Sequence, residues 1–73
     1  MSDREFDYLK ALLTTLDEWE LVSVHSYLRS SHSIKTVRIN DLFYVEDEEE
    51  DFEINTMELI TYIDIEFQSR NLN

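Results

Sequence analysis

The sequence predicts an α+β fold in which an N-terminal amphipathic helix covers one face or mouth of a curled antiparallel sheet of four to five strands. Two observations carry that expectation. Phe6, Leu9, Leu12, Leu13 and Leu16 recur at helical spacing and make one apolar stripe. From Trp19 onward, short runs rich in β-branched and aromatic residues alternate with polar breaks, the pattern of strands joined by tight loops. With 73 residues the chain is sized for a single domain, residues 1–73. It has no cysteine, so its core must hold without disulfides or Cys-ligated metal, and a reducing compartment suits it. A hydrophobic fraction of 42% separates it from disordered acidic tails, which are poorer in apolar residues.

The first helix is expected over about residues 3–16, opened by Ser2 and Glu5 at the spacing of a capping box. Glu20 through Leu28 reads as a strand, followed by a polar turn at Arg29-Ser30-Ser31-His32-Ser33. Ile34–Ile39 reads as a second strand, Asn40-Asp41 as a tight turn and Leu42–Val45 as a third strand. The chain contains no glycine, so any left-handed backbone is expected at Asn or Asp. A short strand is expected at Phe52-Glu53-Ile54. For the last segment, Met57, Leu59, Thr61, Ile63, Ile65 and Phe67 alternate, which favours a strand over about Leu59–Phe67. A helix capped by Asn55 and carrying Met57, Ile60, Ile63 and Phe67 is the competing reading.

Charge dominates the functional reading. The formal net charge is −11, beyond what solubility asks of a small domain. It is unevenly placed: residues 1–20 carry −4, residues 21–45 carry +2 and residues 46–73 carry −9. The densest stretch is Glu46-Asp47-Glu48-Glu49-Glu50-Asp51-Phe52-Glu53, in which Phe52 is the only residue that is not a carboxylate. Such a run cannot enter a core, because unpaired buried charge is too costly. It must face water or a cationic partner. On the expected last strand, Asp64 and Glu66 share a face at a separation of about 6.6–6.8 Å, close to two phosphate steps of a DNA strand at roughly 6.8 Å. Ordinary solvated residues on an outer sheet face are the simpler account of those two. An acidic loop that only keeps a sheet edge from pairing is the simpler account of the block.

The same charge disfavours direct binding to nucleic acid or anionic membrane, which require Lys and Arg. The natural partner is a basic nucleic-acid-binding protein. Catalysis is not expected. His25 and His32 stand in no recognised ligand spacing, the serines around them lack a third orienting group, and phosphate loops need glycine. The acidic run lacks the glycine of an EF-hand loop, so neither a metal nor a cofactor is expected. Trp19 among Asp17, Glu18 and Glu20, and Phe52 within the block, have the look of binding anchors. Packing at the helix–sheet junction for Trp19, and an inward side chain for Phe52, are the plainer readings. The charged N-terminus and short apolar runs show no secretory or membrane segment, and the expected location is cytoplasmic.

In size, acidity, lack of catalytic groups and the 46–53 block, the chain resembles the small DNA-mimic proteins of bacteriophages, among them the Bacillus-phage kind that blocks the nucleoid-associated protein HU. That resemblance implies a bacterial host cytoplasm and a homodimer whose carboxylates face the DNA-binding arms of HU. The element order expected above also resembles an Sm-like small barrel, with no RNA-binding residues carried across. Together these make a DNA-mimic inhibitor the leading expectation. The alternatives are a non-catalytic adaptor or complex subunit with a solubilising acidic loop, and an acidic inhibitor of an RNA-binding factor such as the terminator Rho.

Overall fold

A computed structural model describes residues 2–31, 33–43 and 51–71. The expected curled sheet is not what it shows. Four helices account for most of the described residues, and the only sheet among them is a two-stranded antiparallel ribbon. The order is α1 (Asp3–Thr15), α2 (Glu18–Ser30), β1 (Thr36–Arg38), α3 (Ile39–Leu42), β2 (Glu53–Asn55) and α4 (Thr56–Ser69).

The α1 helix matches its expectation. Ser2 Oγ accepts from the Glu5 amide and Glu5 Oε1 accepts from the Ser2 amide, so two orphan N–H groups are satisfied reciprocally. Leu9 and Leu13 are its buried residues. The segment expected as the first strand is instead α2. Asp17 and Glu20 repeat the capping-box spacing, with the Asp17 amide donating to Glu20 Oε1 at 2.9 Å. Behind that start, Leu21, Val24, His25 and Leu28 fall on one side of a helix, and Leu21 and Leu28 are fully buried. A satisfied start and a 3.6-residue stripe outweigh the β propensity of Val22, Val24 and Tyr27.

The second expected strand survives in part as β1, paired with β2 in the register Thr36↔Asn55, Val37↔Ile54 and Arg38↔Glu53. Two backbone bonds extend the ladder beyond its ends, Thr56 N–H to Lys35 O at 2.9 Å and Ile39 N–H to Phe52 O at 3.0 Å. Asn40 and Asp41 lie in the single turn of α3 rather than a tight turn, and Leu42 closes that turn instead of opening a strand. Of the rest of that expected strand, Phe43 ends α3 as a buried residue outside any strand, and Tyr44 and Val45 lie outside the described residues.

The largest correction is α4. The Asn55 side chain accepts from the Met57 and Glu58 amides at 2.9 and 3.2 Å, which commits the chain to a helix at residue 56. The buried residues are then Thr56, Leu59, Ile60 and Ile63, at helical spacing, while Met57 and Ile65 point to solvent. Leu59 beside Ile60 breaks the apparent alternation. The one left-handed residue among those described is Asn71, at φ 59°, where the absence of glycine leaves Asn the cheapest choice.

The helices pack around one core of Leu9, Leu13, Leu21, Leu28, Ile39, Phe43, Phe52, Ile54, Leu59, Ile60 and Ile63. Phe6 meets Tyr62, and the end of α1 meets Arg70 beyond the end of α4, so these two helices run in the same direction. His25 meets Asp64 and Phe67, while Leu28 shares a cleft with Ile60 and Met57, so α2 runs opposite to α4. Among the described residues no helix is long and apolar enough to cross a membrane.

Candidate partner-binding surface

Of the acidic block, Glu46, Asp47, Glu48, Glu49 and Glu50 lie outside the described residues. Its C-terminal end is held firmly to the ribbon. Asp51 Oδ2 accepts from Arg38 Nε at 3.0 Å and Nη2 at 2.8 Å, and Asp51 Oδ1 accepts the Asn40 amide at 3.1 Å. The Asn40 amide, followed by the Arg38 guanidinium, holds the Asp51 carboxyl below the usual aspartate range against the opposing effect of burial. Arg38 Nη1 also reaches Glu53 Oε1 at 3.4 Å, directly across the ribbon. Both carboxylates raise the affinity of Arg38 for its proton. Phe52, between the two acids, is buried, so it anchors the end of the block rather than offering an apolar contact.

Asp64 and Glu66 do not share a face. Two residues of α-helix turn through about 200°, which sends Asp64 toward α2 and Glu66 toward the end of α1. Asp64 Oδ1 lies 2.9 Å from His25 Nε2. Glu66 Oε1 accepts from Arg70 Nε at 2.7 Å, and the same guanidinium donates to the carbonyls of Leu13, Thr14 and Leu16. Both acids hold helices together, and the phosphate-like spacing expected of a strand does not exist. His25, expected in mid-strand, is a mostly buried helical residue whose ring stands edge-on to Phe67.

The helical arrangement brings the first turns of α1 beside the start of α4 and the residues leading into β2. Phe6 packs edge-on against Tyr62 at 5.6 Å between ring centres, and the Tyr62 hydroxyl donates to Glu58 Oε1 at 3.3 Å. Burial, then the Glu58 charge, pushes the Tyr62 hydroxyl up from its ordinary range. On the other flank of α1, Tyr8 packs edge-on against Phe52 at 6.3 Å. The first turns of α1, carrying Asp3, Glu5 and Asp7, therefore sit between the start of α4 with Glu58 and the entry to β2, with Asp51 before the strand and Glu53 at its first position. Asp3, Asp7, Glu53 and Glu58 are all exposed. The aromatic contacts Phe6–Tyr62 and Tyr8–Phe52 set the first turns of α1 beside these segments, which nothing in the linear spacing announces.

Trp19 does not seal a helix–sheet junction. It is 68% exposed on α2, in company with half-exposed Val22 and Tyr27. Among the described residues no three His, Asp or Glu side chains come together as a metal site. The chain matches no known protein-family model, and comparison with curated proteins and with solved structures returns no significant match.

Proposed function

We propose that this chain is a non-catalytic inhibitor that occupies the nucleic-acid site of a basic protein, its carboxylates standing where phosphates would, with the nucleoid protein HU as the first target to test. The supporting observation is the convergence of the N-terminal acids with the acids of residues 51–58 around the first turns of α1. A rigid helical frame presenting carboxylates from three segments favours fast, electrostatically guided capture of a cationic groove. The frame differs from the strand-borne spacing expected above, so the mimicry proposed is of a charge field rather than of phosphate register along one strand.

The test uses the protein as bait in a bacterial lysate, washed at low and at high salt and then with duplex DNA. The expected result is one dominant basic nucleic-acid-binding protein, released by salt and displaced by DNA. Neutralising Glu46, Glu48, Glu49, Glu50 and Glu53 to Gln and Asp47 to Asn in steps should lower its recovery progressively. A partner that resists both salt and DNA would replace this reading with the adaptor.

A further inference from the structure

A furrow runs along α2 on the side that meets α3. Val24 and Leu42, both half-buried, line most of its length, and Ser23 is the small residue at its middle. Trp19 and Glu20 line one end, and Tyr27 and Asp41 the other. The two rings stand largely in water, Trp19 at 68% and Tyr27 at 49% exposed. Exposed aromatics over an apolar trough are the usual anchors of a docking site.

Each ring has a carboxylate beside it. Asp41 is exposed and has no ion pair among the described residues. Glu20 accepts the Asp17 amide at Oε1 and is likewise in no ion pair among them. Past Tyr27 the furrow reaches Arg38, but that guanidinium is already held by Asp51 and Glu53. A ring face next to a free carboxylate suits a guanidinium, which stacks on the ring while its N–H groups donate to the acid.

The spacing also selects the occupant. Trp19 and Tyr27 are separated by about 12 Å of helix rise. An extended peptide covers about 13 Å in four residues and points those two side chains to the same face. Other occupants are turned away by the same charges. An anion would meet Glu20 and Asp41 head-on, and an apolar segment would bury them without a counter-charge. A second copy of a chain with net charge −11 would bring more carboxylates against them.

We propose that the α2–α3 furrow docks an extended, arginine-bearing peptide segment of a partner protein. One guanidinium lies on Trp19 beside Glu20, and a second, four residues along the peptide, lies on Tyr27 beside Asp41. The site goes beyond the function proposed above, since it uses none of the acids around the first turns of α1 and applies to any partner with such a segment.

Trp19 is the single tryptophan, so its fluorescence reports from the furrow itself. The test titrates the intact protein with a synthetic Ser/Thr peptide carrying two arginines four residues apart. Two further peptides of equal charge serve for comparison, one with lysines at those positions and one with the arginines adjacent. The spaced arginine peptide should shift the Trp19 emission saturably, and both comparison peptides should bind more weakly. Glu20→Gln keeps an acceptor for the Asp17 amide, and together with Asp41→Asn it should weaken binding about tenfold. Asp3→Asn with Asp7→Asn changes the net charge equally and should weaken it no more than about twofold. Tyr27→Ala should weaken it with Trp19 still present to report, and circular dichroism checks that each variant folds. An emission that never saturates, equal affinity for all three peptides, or equal effects of the two double variants would overturn the proposal. The peptide comparisons need no variant, so a misfolded one leaves the test intact. Capture of a DNA-displaceable partner without binding of the spaced peptide would sink this site and leave the function above standing, and the reverse result would do the opposite.

Discussion

Arg70 closes the C-terminal end of α1 from the far end of the chain, its Nη1 donating to the Leu16 carbonyl at 2.8 Å. The last turn of α1 contains no basic residue, and its carbonyls would otherwise face water or nothing. Arg70 Nη2 takes the carbonyls of Leu13 and Thr14 at 2.9 Å each, while Nε remains fixed on Glu66. One guanidinium thus ties the ends of two parallel helices through a fork of donors that a lysine cannot copy.

Removing that fork should be costly for a residue so near the chain end. Arg70→Ala is expected to destabilise the fold by about 2–3 kcal/mol, since hydrogen bonds from a charged donor are worth about 1.5–3 kcal/mol. Arg70→Lys should recover less than half of the loss. Urea unfolding followed by circular dichroism at fixed pH measures both. A loss no larger than that of an ordinary exposed arginine would show that α1 and α4 are held by the core alone.

How far the fold could be read from the sequence turns on a few residues. The α1 helix was fully legible, because Ser2, Glu5 and the Phe6–Leu16 stripe agree in one period. The α4 helix was half legible. Asn55 and Glu58 signal a cap, and the adjoining pairs Leu59-Ile60 and Tyr62-Ile63 have helical spacing, but the alternation of Met57, Leu59, Thr61, Ile63, Ile65 and Phe67 with its strand-forming residues masked them. The α2 helix was legible in Asp17 and Glu20, whose capping spacing repeats that of Ser2 and Glu5, yet the weight given to Val and Tyr obscured it. Once α2 and α4 are helices, Asp64 and Glu66 must part, and both become structural. The role of Arg38 in binding the end of the acidic block depends on the ribbon register, which no local signal encodes.

The α4 cap is the simplest check on the corrected architecture. Asn55→Ala removes the acceptor used by two amides and should cost about 1 kcal/mol. Asn55→Asp should preserve the bonds and add a favourable charge at the helix start. The spectrum of the unaltered protein should show the double minimum of a mainly helical chain. A strand-like spectrum would contradict α2 and α4 together.

Thr56 offers a gain rather than a loss. Its side chain is buried and its hydroxyl has no hydrogen-bond partner among the described residues. Thr56→Val keeps the shape, removes the unsatisfied oxygen and should stabilise the fold by about 1 kcal/mol. The neighbouring bond from the Thr56 amide to the Lys35 carbonyl is unaffected by the change. A higher urea midpoint at unchanged slope would verify it, and a lower midpoint would show that the hydroxyl is satisfied in solution.

The Asp51–Arg38 pair makes a prediction with a defined sign in pH. Because the Asn40 amide and Arg38 lower the pKa of Asp51 on folding, the unfolded chain binds this proton more readily than the folded one. The stability it contributes is therefore complete above the ordinary aspartate range and is lost as pH falls through the lowered value. Asp51→Asn should lower the melting temperature at neutral pH. The difference between variant and parent should shrink as the medium is acidified below the aspartate range, where the parent carboxyl is itself protonated. The pair is accessible to solvent, so added salt should also narrow the gap at neutral pH, leaving the part that comes from the Asn40 amide. Thermal unfolding of both proteins in parallel across acid and neutral buffers gives the result directly. A gap that stays constant with pH would assign the role of Asp51 to its shape in the turn before β2, and not to its charge.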